Sequence, residues 1–232
     1  MIAIIGAMDE EISKLLSDMM LDSTSTYAKI TFYKGRLYGC DCVICKSGVG
    51  KVNAALCTQT LIDNYNPNYI INTGVAGAID DSLDIGDIVI STCVLEHDVD
   101  VTALGYKKSE IPDMTNSRFE ANQGIVDLAY NISVGIMDAA KVTRGLIVTG
   151  DQFISSTEDK KKLQDEFDPL CTEMEGGAIA HVASINNIPF IIIRSISDNA
   201  DSLAIEDYPA FVKKATDNST KILKELLPNL IK

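Results

Sequence analysis

The chain has 232 residues, with 20 Lys+Arg against 33 Asp+Glu and a formal net charge of -13. That acidity opposes a surface for nucleic acid or an acidic membrane face and suits a neutral or cationic ligand. With 46% hydrophobic residues the composition excludes disorder, and a length near one and a half times a typical domain of roughly 150 residues predicts one domain over 1–232.

In chain order, the apolar run 2–5 predicts a buried strand. It has no basic leader and runs straight into Asp9, Glu10 and Glu11, unlike a secretory signal, which predicts a cytoplasmic location. Alternation at 29–34 and 37–45 predicts a hairpin turned near Gly35. Val52, Ala54, Ala55 and Leu56 mark a helix over 50–63. Runs 69–73 and 86–91, rich in Ile and Val, predict strands covered on both faces. The polar stretch 104–119 predicts a long loop, of the kind that borders a ligand or a partner subunit. A helix over 120–136 carries Ile125, Leu128 and Ala129, followed by a strand at 143–148, a helix at 174–186 and a strand at 188–193. A last helix near 207–227 places Phe211, Ala215, Ile222, Leu223 and Leu226 on one side. Strands alternating with helices, plus one hairpin, predict an α/β fold with a mixed sheet. Every apolar run stops well short of the ~18 residues of a membrane span, so no membrane partner is expected.

The six cysteines, Cys40, Cys42, Cys45, Cys57, Cys93 and Cys171, read as free, mostly buried thiols, because a chain this long and apolar needs no staples. Cys42 and Cys45 sit in an alternating run without a second ligand pair at zinc spacing, and no metal is expected. His97 and His181 lack zinc-spaced partners and read as structural histidines with satisfied hydrogen bonds.

Ligands of α/β sheets gather where strands run out into loops, and four such exits carry chemical groups. Gly6-Ala7-Met8-Asp9-Glu10-Glu11 joins a small-residue turn to an acidic first helical turn, which capping alone would also explain. Asn72-Thr73-Gly74-Val75-Ala76-Gly77-Ala78 reads as a glycine-containing turn; it lacks both the dinucleotide GxGxxG spacing and the P-loop lysine. In Cys171-Thr172-Glu173-Met174-Glu175-Gly176-Gly177-Ala178 two carboxylates flank a methionine before an apolar helix, and a carboxylate can accept from two vicinal ribose hydroxyls. Ile193-Arg194-Ser195-Ile196-Ser197-Asp198 ends a buried-looking strand in charged and hydroxyl groups. Arg194 there requires a carboxylate partner, and Asp198 is the leading candidate for a proton donor or acceptor. Separated carboxylates in apolar surroundings are the pattern for cleaving glycosidic bonds through a cationic transition state.

These segments, with Lys46-Ser47-Gly48-Val49-Gly50-Lys51-Val52, Gly86-Asp87-Ile88-Val89, Asp100-Val101-Thr102-Ala103-Leu104-Gly105-Tyr106 and Thr149-Gly150-Asp151-Gln152-Phe153-Ile154, resemble the bacterial 5'-methylthioadenosine/S-adenosylhomocysteine nucleosidases of the nucleoside phosphorylase superfamily. The resemblance spans almost the whole chain. It implies a three-layer α/β/α sandwich around a mixed, barrel-like central sheet, a homodimer and no cofactor. It further implies that Asp198, supported by Ser197, protonates adenine N7, and that Glu11 activates the attacking water with Arg194 in the same network. Glu175 would hold the ribose hydroxyls with Met174 against the sugar and Glu173 beside it. Phe153 would stack on adenine, backbone at Ile154 would read its edge, and Met8, Val49, Val75, Ala76 and Tyr208 would line the rest. Val101, Leu104 and Pro112 would reach a neighbouring subunit's site. The chain departs from the pattern at Val75, where many members carry serine, and at Leu104 and Tyr208, where phenylalanine is frequent.

Three rivals stand beside hydrolysis of the thio-nucleosides: an aminodeoxyfutalosine-type nucleosidase, a phosphate-dependent phosphorylase and a non-catalytic nucleoside-binding protein. A phosphate dianion demands converging Arg or Lys donors, and only Arg36, Arg118, Arg144 and Arg194 exist, none in the turns at Gly6 and Gly74. The pairing of Glu11 with Asp198 disfavours a binder without turnover.

Overall fold

Each Ile/Val-rich run forms a strand buried along most of its length in the computed structural model, which describes residues 1–230; the end of the expected span 1–232 lies outside the described residues. The strands are β1 (Ile2–Gly6), β2 (Met20–Tyr27), β3 (Ile30–Leu37), β4 (Cys40–Lys46), β5 (Tyr69–Ala78), β6 (Ile88–Glu96), β7 (Arg118–Glu120), β8 (Val142–Thr149), β9 (Cys171–Glu173) and β10 (Phe190–Asp198). The α-helices are α1 (Asp9–Asp18), α2 (Lys51–Tyr65), α3 (Gln123–Ile136), α4 (Thr157–Phe167), α5 (Gly176–Ile185) and α6 (Ala204–Leu230).

The sheet is mixed and partly closed. β5 pairs with β10, β10 with β6, β6 with β8, β8 with β9, and β9 returns to β5. This circuit has no free edge, which is what makes the centre barrel-like. β1, β4, β3 and β2 extend from β5 as an open wing. Helices flank the sheet in two groups, α2 against α5, and α1 and α3 against α6. Ile4, Ile71, Ile192 and Ile193, all fully buried, belong to one large core cluster, while Leu146, Val148 and Ile154 belong to a smaller one. Among the described residues no helix is long and apolar enough to cross a membrane.

Three readings of the sequence need correction. The β3–β4 hairpin turns at Tyr38 and Gly39, both at positive φ, and not at Gly35. Gly35 lies inside β3 beside a bulge in β2, where a Cβ would overlap the Met20 carbonyl oxygen; its absent side chain serves close backbone approach. The segment Asn72–Ala78 is no turn but the second half of β5, because parallel pairing to β10 continues through it. The histidines also differ from each other. His181 Nδ1 lies 3.0 Å from Glu96 Oε1 and its ring stacks on Phe119, whereas His97 Nε2 is buried with no hydrogen-bond partner among the described residues. A Cβ at Gly150 would overlap that nitrogen, so the glycine is what admits the His97 ring. All six cysteines are free and buried.

Candidate active site

A cleft of about 230 Å³, partly open to solvent, is walled by residues from the ends of β1, β5, β9 and β10, the start of α1, the 47–50 loop and α6. Its concave, largely apolar wall with a few converging polar groups suits a small organic ligand. Glu11, Glu173, Glu175 and Asp198 all contribute to the wall, and no Lys or Arg does.

Glu11 is the third residue of α1, so its side chain reaches back over the helix start. Oε2 accepts from the backbone N–H of Ala7 at 2.5 Å and of Met8 at 3.1 Å, and Oε1 accepts from Val75 N–H at 3.1 Å. Gly74 makes this possible, since a Cβ there would overlap Oε1. Burial pushes the Glu11 carboxyl above its ordinary range, against the lowering effects of Arg194 and the three backbone donors.

Asp198 ends β10, just past a bulge between Ile196 and Asp198. Such a bulge redirects side chains, and here Ser197 Oγ donates to Asp198 Oδ2 at 2.9 Å while Ala200 N–H donates to Oδ1 at 2.9 Å. Burial, the largest influence, raises the Asp198 pKa, with Asp207 and Asp201 adding to it against those two hydrogen bonds. Gly77 stands opposite on β5, and a Cβ there would come within 2.8 Å of Asp198 Oδ1.

Between these two, Glu173 is held entirely by protein. It accepts from Thr149 Oγ1 and Arg194 Nη2, and from the N–H groups of Glu175 at 3.1 Å and Gly176 at 2.7 Å. Arg194, 1% exposed, also donates to Asn72 Oδ1 and is placed behind the cleft wall, not in it. This is the carboxylate partner that a buried arginine demands. Glu175 accepts from Gly50 N–H at 2.8 Å. Burial and the charge of Glu173 push its carboxyl up to about 8.

The remaining wall is largely apolar. Met8, Val49, Val75, Ala76, Phe153, Met174 and Tyr208 line it, as expected from sequence. Tyr208 Oη donates to Met8 Sδ at 2.8 Å and its ring meets Phe153 edge-on at 5.8 Å. Ile154 does not line the cleft; its side chain is buried in the smaller core cluster. Val101, Leu104 and Pro112 are likewise away from this chain's own cleft, and Leu104 is 75% exposed. Sequence reasoning missed two wall residues, Ala7 and Thr172. Each was quoted in a segment, but an alanine and a strand threonine carry no chemical signal of their own. Among the described residues no cluster of His, Cys, Asp and Glu is arranged to hold a metal ion.

The chain is similar to known proteins over nearly its whole length. Residues 1–228 match the family model of the phosphorylase superfamily. The 5'-methylthioadenosine/S-adenosylhomocysteine nucleosidase of Staphylococcus aureus strain JH9 is 40% identical over 231 residues, which cover 99% of this chain and 100% of that one. A crystal structure of the Neisseria meningitidis 5'-methylthioadenosine/S-adenosylhomocysteine nucleosidase in complex with methylthio-immucillin-A is similar at a TM-score of 0.94, with 37% identity and 98% of both chains covered. The futalosine hydrolase of Helicobacter pylori is similar at a TM-score of 0.93, with 31% identity, covering 98% of this chain and 97% of that one.

Proposed function

The chain belongs to the phosphorylase superfamily, and from that premise we propose that it is an enzyme hydrolysing the N-glycosidic bond of 5'-methylthioadenosine and S-adenosylhomocysteine, with release of adenine. One observation carries hydrolysis over phosphorolysis: four carboxylates and no basic side chain form the cleft wall. A phosphate dianion would find no cationic side chain in that wall, whereas an oxocarbenium-like sugar gains from an ionised carboxylate beside it.

In this reading Asp198 donates a proton to N7 of adenine, and the upward shift of its pKa, caused chiefly by burial, favours the protonated form. Ser197 and Ala200 fix the carboxyl's orientation. As the purine becomes a better leaving group, the glycosidic bond stretches and positive charge develops on the ribose. Glu11 takes a proton from water attacking the anomeric carbon. Its raised pKa makes it a stronger base than an ordinary carboxylate, provided that it is ionised. Arg194 and Glu173 act from behind, as a charge pair that supports the wall. Glu175 accepts from the ribose hydroxyls and Met174 packs on the sugar. Phe153 stacks on adenine, and Met8, Val49, Val75, Ala76 and Tyr208 enclose the ribose and the 5'-thio group.

A homodimer fits the surface: Val52, Leu56, Leu104 and Ile185 are 78%, 47%, 75% and 63% exposed, and α2 and α5, which carry three of them, lie side by side. Val101, Leu104 and Pro112 would then extend into the partner's cleft.

The test is chromatography of purified protein incubated with 5'-methylthioadenosine, with and without phosphate. Adenine and free methylthioribose in both conditions are expected. A phosphate requirement with methylthioribose-1-phosphate formed would overturn hydrolysis. Adenine released faster from a futalosine-type nucleoside would shift the substrate toward that of the similar futalosine hydrolase.

A further inference from the structure

Lys51 opens α2 two residues past Val49 of the cleft wall and does not itself line the cleft. Nζ donates to Asp98 Oδ1 at 2.6 Å and to Glu96 Oε2 at 2.9 Å, with the Lys51 side chain 17% exposed. Its backbone N–H donates to Asp151 Oδ1 at 2.7 Å, and Asp151 N–H donates to Asp98 Oδ2 at 2.9 Å. Lys51, Asp98 and Asp151 therefore close a ring across three separate chain segments: the 47–51 loop, the turn after β6 and the turn after β8. Glu96 ties the ring onward to His181 on α5.

None of these residues lines the cleft, yet two ring members each lie two residues from one that does, Lys51 from Val49 and Asp151 from Phe153. Gly50, which precedes Lys51, donates its N–H to Glu175 Oε1, and Phe153 follows Asp151 by two residues. Gly50 takes a φ of 95° and a Cβ there would lie 3.0 Å from Asp151 Oδ1, so the ring also dictates glycine at the residue that holds Glu175.

We propose that the Lys51–Asp98–Asp151 ring is a positioning cluster that fixes the Gly50 loop and the Phe153 loop relative to each other, and so sets how well a ribonucleoside is gripped at its sugar hydroxyls. The inference rests on the reading of Glu175 and Phe153 as the ribose and base contacts. Lys51, Glu96 and Asp98 are partly buried, so losing the ammonium leaves two carboxylates without their cation, while the exposed Asp151 contributes through the bond its Oδ1 accepts from Lys51 N–H.

The experiment is calorimetric titration of a non-hydrolysable adenine ribonucleoside and of its 2'-deoxy counterpart into wild type, Lys51→Met and two Asp151 variants. Wild type should prefer the ribonucleoside. Asp151→Ala removes the direct bond between the loops, accepted by Oδ1 from Lys51 N–H, and leaves the Lys51–Glu96–Asp98 pairs and the backbone bond from residue 151 to Asp98 intact. It should weaken ribonucleoside binding by about fivefold, the loss of one hydrogen bond's worth of restraint, and shrink the preference over the deoxynucleoside. Asp151→Asn keeps an acceptor for Lys51 N–H and should restore most of that preference, which a general loss of stability would not do. Lys51→Met should resemble Asp151→Ala or exceed it. Unchanged affinity and unchanged preference in Asp151→Ala would overturn the inference while leaving the function intact. Failure of wild type itself to bind the ribonucleoside would overturn both.

Discussion

The two carboxylates proposed to move protons are held by different numbers of donors, and this makes their amide replacements unequal. Asp198 accepts on Oδ1 from Ala200 N–H and on Oδ2 from the Ser197 hydroxyl. In Asp198→Asn the amide oxygen can keep the Ala200 bond, and the Ser197 hydroxyl can rotate to accept from the new NH₂. The fold should therefore be retained, while adenine release falls by about 10²- to 10⁴-fold with the acid lost. Turnover near wild type would remove Asp198 from the mechanism. Glu11 has no such tolerance, because both of its oxygens face backbone N–H groups. A Glu11→Gln amide must turn its NH₂ toward at least one of them. That variant should lose turnover, still bind a nucleoside analogue, and also unfold about 1–3 kcal/mol more easily, an added cost visible in a denaturant titration. Full turnover in Glu11→Gln would refute the base.

At the scale of elements, β5 is the part that makes a two-carboxylate site possible. Gly74 clears space for Glu11 from α1, and Gly77, three residues on, clears space for Asp198 from β10. Gly74→Ala should displace the Glu11 carboxylate and reproduce the kinetic defect of Glu11→Gln, whereas Gly77→Ala should act through Asp198. Circular dichroism of both should match wild type, since alanine at these φ values is unstrained; a Gly74→Ala enzyme with normal kinetics would show that Glu11 can act from elsewhere. This role of β5 was not legible in the sequence, where two glycines close together read as a turn. Only the pairing with β10 reveals a strand whose glycines face side chains. The other central strands were legible because Ile/Val runs such as 188–193 are buried on both faces. β2 was not, since its polar residues are exposed at the edge of the wing, and neither was α4, which buries only Leu163 and is announced chiefly by the Ser156 cap on Asp159 N–H. The site's acidic residues stood out as costly charges at the ends of apolar runs. Arg194's place behind the wall did not, because which face of a buried strand meets the cleft depends on neighbours distant in sequence.

For the whole molecule, the cleft concentrates charge that the fold must carry without ligand, and this fixes the sign of its pH dependence. Glu175 has its pKa raised from 4.5 to about 8 by burial and by Glu173, and burial also raises Glu11 and Asp198. A carboxyl raised in the folded state binds more protons there than in the unfolded chain, so its contribution is present below the unfolded pKa and is lost as pH rises through the folded one. Glu96 and Asp98 shift the other way: burial opposes their charge, but hydrogen bonds from His181 and Lys51 to Glu96, and from Lys51 and Asp151 to Asp98, outweigh it. Their contribution is present above the ordinary carboxylate pKa and disappears only as pH falls below it. The two sets therefore titrate in separate windows, and the ligand-free protein should be most stable in mild acid. Thermal melts between about pH 5 and about pH 8 should show Tm falling as pH rises, and Glu175→Gln should flatten that fall because glutamine carries no proton to lose. Parallel curves for the two proteins would show that Glu175 is ionised throughout. In that case the excess negative charge of the wall would have to be balanced by another of its carboxyls.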